Sequence, residues 1–249
     1  MDLRELPDDG EVVTRHPWHR ARVAFFEHYL RERGVPVRRW LDVGSGDGWT
    51  ATSLHARLFP EAELTCWDIH YTDEYLARQA WADGRRIIAT RDTPKGHFDL
   101  VTAFDVLEHV EDDREMLRFV REHLAPDGQL FVSVPAWPQL FGEHDKFLHH
   151  VRRYQPREAE ARLEEAGFAI HTSGGLFHAL LGIRALERVA QFALPGGLNA
   201  SRGAEWGAPR WFTRVVDGAL AVDTRISRGL AARGLSVPGL SYFALCTAR

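Results

Sequence analysis

Apolar residues along this chain recur first with the period of a helix and then, from residue 40 onward, in short runs divided by polar and glycine-rich breaks. Val23, Phe26 and Leu30 fall on one face of a helix expected from about Trp18 to Arg33, closed by Gly34. Trp40–Val43, Leu64–Trp67, Arg86–Ala89, Phe98–Phe104 and Gln129–Val134 have the length and residue types of strands. Helical spacing returns between them, over residues 51–59, 75–82 and 111–124, the last with acidic residues in its first turn to suit the helix dipole. Pro126-Asp127-Gly128 reads as a turn into the fifth strand. Strand–helix alternation at this spacing predicts βαβ units and a parallel sheet.

Beyond residue 150, Pro156 and Gly167 bracket another helix, and Phe168–Thr172 and Ser241–Ala248 read as the last two strands. Between those strands, residues 176–236 keep helical periodicity, interrupted at Pro195-Gly196-Gly197 and Gly207-Ala208-Pro209. The organisation expected is one domain over residues 1–249, with an N-terminal helical segment at 1–36 and a helical insertion at 176–236.

A net charge of −4 on 249 residues carries no basic excess for nucleic acid. Hydrophobic residues at 45% and charged residues at 27% are ordinary for a globular protein. The two cysteines, Cys66 and Cys246, sit in strand-like apolar runs, which suits buried thiols in a reducing compartment. The first residues are acidic and lack an apolar signal-peptide core, and no run approaches the roughly 20 apolar residues of a membrane span. A cytoplasmic location is the expectation.

The first strand runs into Asp42-Val43-Gly44-Ser45-Gly46-Asp47-Gly48, and a helix follows at once. Glycines there let the backbone turn tightly and approach a ligand at a helix N-terminus. Asp68, at the end of the second strand, is placed to accept from two ribose hydroxyls. Gly46 to Ala51 also fits the dinucleotide pattern G-x-G-x-x-A, which would make the chain an NAD-binding oxidoreductase. Against that stand Asp42 before the glycines, the sequence Phe104-Asp105-Val106-Leu107-Glu108-His109-Val110 at the end of the fourth strand, and a further C-terminal strand.

Taken together, L-D-V-G-S-G-D-G, F-D-L-V and D-V-L-E-H-V over residues 40–135 resemble class I methyltransferases dependent on S-adenosylmethionine (SAM), especially the bacterial small-molecule group related to quinone biosynthesis. The resemblance implies an α/β, doubly wound, seven-stranded sheet in the order 3-2-1-4-5-7-6 with the last strand antiparallel. It implies that Asp42, Gly44, Ser45, Gly46 and Gly48 hold the methionine end of SAM. Asp68 would take the ribose, Ile69 cover the adenine, Asp92 meet the adenine amino group and Asp105 line the methionyl pocket.

SAM brings its own leaving group, so the protein must chiefly align a nucleophile and, for a hydroxyl or ring carbon, supply a base. Histidines are densest after the fifth strand, where a segment H-D-x-x-x-x-H-x-R-R-Y resembles one found in a subgroup of bacterial methyltransferases. His144 and His149, with His109 as the alternative, are the candidate bases. Trp137, Arg152, Arg153 and Tyr154 are candidates for holding a small acceptor of anionic or partly apolar character. Structural uses of the same residues are an Asp145–His149 pair on one helical face and an Arg152 or Arg153 pair with Glu158. His144, Asp145, His149 and His150 have metal-ligand types but match no compact metal motif, so no metal is expected. The wide apolar face of the insertion fits core packing, a lid, a dimer face or a membrane contact. Two functional classes stand: an active small-molecule methyltransferase, and a SAM-binding regulatory or structural partner without transferase activity.

Overall fold

The computed structural model describes residues 15–32, 36–79, 86–193 and 208–249. Its chain runs α1 (Pro17–Glu32), β1 (Arg39–Val43), α2 (Trp49–Leu58), β2 (Glu63–Trp67), α3 (Asp73–Arg78), β3 (Ile87–Thr90) and β4 (Phe98–Phe104). Next come α4 (Asp113–Glu122), β5 (Leu124–Pro135), α5 (Glu143–Phe147), α6 (Pro156–Glu165), β6 (Phe168–Leu176), α7 (His178–Ala193), α8 (Arg210–Ala231) and β7 (Ser241–Ala248). The strands form one sheet in the order β3-β2-β1-β4-β5-β7-β6, and β7 runs antiparallel to both of its neighbours. This is the expected doubly wound fold, with α7 and α8 between the last two strands. The expected breaks at residues 195–197 and at Gly207, and the first fourteen residues, lie outside the described part.

Strand side chains alternate between two cores, which is why the strands read as continuous apolar runs. Leu41, Val43, Val101, Ala103, Leu130 and Val132 face α4 and α6. Trp40, Leu100, Phe104 and Phe131 face α1, α2 and α8. Phe26 of α1 stacks on Phe104 with centroids 3.8 Å apart.

Three local expectations give way. Pro126-Asp127-Gly128 lies within β5: from Phe98 to Leu100 the partner residue jumps from Leu124 to Gln129, so the turn-like tripeptide is a bulge. A Cβ on Gly128 would stand 2.7 Å from the Phe98 carbonyl oxygen, so the bulge needs glycine. The expected Asp145–His149 helical pair does not form, because α5 ends at Phe147 and His149 takes a φ of 56°. Glu158 pairs with Arg162 rather than with Arg152 or Arg153.

Candidate active site

The glycine loop between β1 and α2 is shaped by three left-handed residues, Gly44, Gly46 and Gly48, with φ of 61°, 56° and 70°. Only glycine takes these angles without strain. At Gly44 space is also limiting, since an added Cβ would meet a Val106 methyl at 2.7 Å. Asp68, at the end of β2, fastens the loop by accepting from the Gly46 N–H at 3.0 Å and the His70 N–H at 2.9 Å. Each oxygen retains a lone pair for a ribose hydroxyl. Tyr71 donates to the Gly46 carbonyl at 2.6 Å and stacks on Tyr75. Ser45 is buried on the loop, its N–H bonded to the Trp67 carbonyl at 3.1 Å. Ile69 stands out from the strand end, 67% exposed. Asp92 follows β3, exposed, with its N–H bonded to Thr90 Oγ1 at 3.0 Å.

Asp42, buried at the end of β1, accepts from the Thr102 hydroxyl. Burial pushes its carboxyl up to about 6 against that hydrogen bond. A group poised this way binds a cation strongly, because a neighbouring positive charge relieves the cost of ionisation.

Asp105 follows β4 with φ 56°. Its Oδ2 pairs with Arg22 of α1 at 2.6 Å, and its Oδ1 accepts from Ser133 Oγ at 3.1 Å. Burial works to raise this carboxyl, but the Arg22 charge holds it below its ordinary value. Arg22 also lies over Trp18, 4.5 Å from the ring centre. A small cavity of about 20 Å³ is lined by His19, Arg22, Asp42, Gly44, Asp47 and Phe104. Arg15 pairs with Asp47 on the glycine loop. Nothing in the spacing of His19 and Arg22, or of Arg15 just before α1, marks them in the sequence, because only the packing of α1 on the sheet brings them here.

Beyond Asp105 the chain makes a turn of 3₁₀ helix, Leu107–His109, that buries Glu108 completely. Both Glu108 carboxylate oxygens lack a hydrogen-bond partner, and burial together with the Asp105 charge raises this carboxyl well above its usual range. His109 meets His150 edge to face, ring centres 4.7 Å apart. Asp145 Oδ1 contacts His150 Nδ1 at 3.0 Å and accepts from Arg153 Nε at 2.6 Å. Asp145 Oδ2 accepts from the Gly142 N–H at 2.9 Å and lies 3.8 Å from Arg184 of α7. Burial opposes ionisation of Asp145, but His150 and Arg153 hold its carboxyl at about 2.

The histidine facing Glu108 and His109 is thus His150, one residue beyond the His149 singled out by sequence. The left-handed turn at His149 is what swings His150 inward, while His149 and His144 are exposed. Glu108, His109 and His150 present ligand atoms within 4.8 Å of one another, a donor set suited to a divalent ion. This trio differs from the four residues weighed for metal in the sequence.

The expected acceptor-holding residues have internal partners. Arg153 is buried and also donates to the Ala136 carbonyl at 3.2 Å. Tyr154, buried too, donates to Asp113 Oδ2 at 2.8 Å, and Arg152 reaches the same carboxylate at 3.2 Å. Trp137 has φ 67° and donates to the Gly239 carbonyl at 2.7 Å. It borders a cavity of about 570 Å³ shared with Arg157, Glu160, Gly239 and Tyr242, at the same sheet edge.

Sheet order, the left-handed glycine loop and a ribose-placed carboxylate after β2 define a class I methyltransferase fold. A methyltransferase-domain family matches residues 17–173, and the chain belongs to it. It is a SAM-dependent methyltransferase. Among characterised relatives, it is 28% identical over 202 residues to a ubiquinone biosynthesis O-methyltransferase of Idiomarina loihiensis, covering 72% of this chain and 81% of that protein. In fold it is similar to a SAM-dependent methyltransferase from Archaeoglobus fulgidus, with TM-score 0.52, 16% identity and coverage of 92% and 93%. It is also similar to the N-methyltransferase NodS of Bradyrhizobium japonicum, solved with S-adenosylhomocysteine, with TM-score 0.51, 20% identity and coverage of 68% and 85%.

Proposed function

We propose that the protein methylates a hydroxyl of a small acceptor, with His150 as the general base. The observation that carries this reading is the convergence of His150, His109 and buried Glu108 beside Asp105, with His150 held through Nδ1 by Asp145. A carboxylate on Nδ1 fixes the ring and leaves Nε2 to take a proton. The O-methyltransferase relative points to the same acceptor atom.

The left-handed loop, with no room for a Cβ at Gly44, and the raised Asp42 carboxyl fit SAM. Asp42 suits its ammonium, Arg22 its carboxylate and Asp68 its ribose, with Ile69 and Asp92 at the adenine end. When bound, SAM supplies an electrophilic methyl on a sulfonium leaving group. The chain then has two tasks. His150 would accept at Nε2 the proton that the acceptor hydroxyl gives up on methylation. Asp145 holds the His150 ring, and Arg184 ties α7 to that same carboxylate.

Arg153 acts in this reading through Asp145, and Tyr154 and Arg152 through Asp113, while Trp137 borders the separate cavity beside Tyr242. An acceptor panel assayed for S-adenosylhomocysteine release, with His150→Asn and His144→Ala in parallel, tests the proposal. Turnover should fall in His150→Asn and persist in His144→Ala; the reverse pattern returns the base to His144.

A further inference from the structure

The two helices between β6 and β7 carry apolar side chains on their outward faces as well as on the faces packed against the core. On α8 the buried positions include Asp223, Thr224 and Ser227. Asp223 accepts from the backbone N–H groups of His178 and Ala179 at the start of α7, and Ser227 meets His178 Nε2 at 3.0 Å. The outward face of α8 carries Trp211, Val215, Val222 and Ile226, spaced as one helical stripe. On α7 the outward stripe is Ile183, Leu186 and Val189, while the neighbouring Arg184 turns in toward Asp145. These seven apolar side chains are between 50% and 73% exposed. Core packing does not account for this outward face, because the packed side of α8 is a different set, Leu220, Asp223, Thr224, Ser227 and Ala231.

We propose that this face of α7 and α8 docks on an anionic lipid bilayer. Arg210, Arg214 and Arg225 are exposed along one flank of the α8 stripe, at i, i+4 and i+15. No acidic residue of α8 is exposed beside them: Asp217 is half-buried against Arg20 at 2.8 Å, and Asp223 is buried. An apolar stripe edged by arginines, with a tryptophan at one end, matches a membrane interface, where the ring sits among headgroups and guanidinium groups bind phosphate. A second copy docking symmetrically through α8 would bring the same exposed arginines together with no exposed carboxylate of α8 beside them. On α7 the exposed Ile183 is followed by Arg184, which turns about 100° around the helix toward Asp145, so one helix carries both the outward stripe and a contact to the Asp145–His150 pair.

The test is flotation of the whole protein with vesicles of phosphatidylcholine, with and without phosphatidylglycerol. Wild type should float with the phosphatidylglycerol vesicles and lose binding as salt rises. Val222→Asp with Ile226→Asp should weaken partitioning by more than about tenfold. Arg214→Glu with Arg225→Glu should weaken it by at least about 25-fold, roughly fivefold for each arginine charge removed. SAM affinity should stay at the wild-type value in both variants. The proposal is overturned by absence of wild-type binding to either vesicle, by binding insensitive to salt, or by a folded aspartate variant that floats like wild type. A concentration-dependent dimer without vesicle binding also overturns it and assigns the face to a second copy.

Discussion

The two halves of the proposed site, one for the cofactor and one for transfer, are built by different means. The cofactor half, from Asp42 to Asp68, is made largely of backbone: three left-handed glycines, a loop fastened by N–H groups on Asp68, and a tyrosine donating to a carbonyl. The transfer half, from Asp105 to Arg153, is made of side chains, with Asp145 alone serving His150, Arg153, the Gly142 N–H and Arg184. Backbone-built sites tolerate little change in residue type at fixed spacing. A side-chain site depends on partners drawn from α1, the 3₁₀ turn, α5 and α7, and its parts fail by leaving buried charge unpaired.

The largest effect expected is on the transfer half. His150→Asn should lower kcat by about 10²–10⁴-fold with melting temperature near wild type, since the ring's loss removes a general base. Asp145→Ala should destabilise the fold by about 3–5 kcal/mol in chemical denaturation, because Arg153 is left buried without its carboxylate. Acid should mimic it. With its folded value near 2 and an ordinary carboxylate value when unfolded, Asp145 stabilises above about pH 4, and that stabilisation is lost as pH falls toward 2.

Smaller effects are expected on the cofactor half. Gly44→Ala should cost about 1–3 kcal/mol, measured by denaturation, from its positive φ and the Val106 contact. Val106→Ala in the same chain should recover the part due to the clash and not the part due to φ. Smallest is a pH effect read by calorimetry. Asp42 is raised to about 6, and a bound ammonium favours its ionised form, so SAM affinity should fall as pH drops below about 6, by no more than roughly tenfold per unit. Asp42→Asn should flatten that slope.

The same difference explains what was legible in the sequence. Phe98–Phe104 and Ser241–Ala248 are strands with the bounds expected of them, because apolar runs of strand length buried on both faces admit few other readings. The glycine loop and Asp68 were legible because backbone geometry restricts residue type at fixed spacing. The bulge at Pro126-Asp127-Gly128 was not, since a turn tripeptide looks the same whether it precedes a strand or loops out of one. Neither was the inward placing of His150 against Asp145 and His109, which depends on a single left-handed residue, His149, in an exposed loop. Glu108 stood in plain view in D-V-L-E-H-V, yet only the tertiary packing shows it buried with both oxygens unbonded. Arg22 reaches Asp105 from 83 residues upstream in the chain, a distance no local pattern spans.

In the proposed mechanism, binding SAM and moving the acceptor's proton are separate tasks of these two halves. Measuring SAM affinity by calorimetry and single-turnover methyl transfer at saturating SAM, on Gly44→Ala and His150→Asn together, tests it directly. Gly44→Ala should bind SAM at least about tenfold more weakly yet transfer near the wild-type rate once saturated, while His150→Asn should bind SAM as wild type does and transfer slowly. Transfer at the wild-type rate in His150→Asn, with SAM bound normally, would contradict the claim.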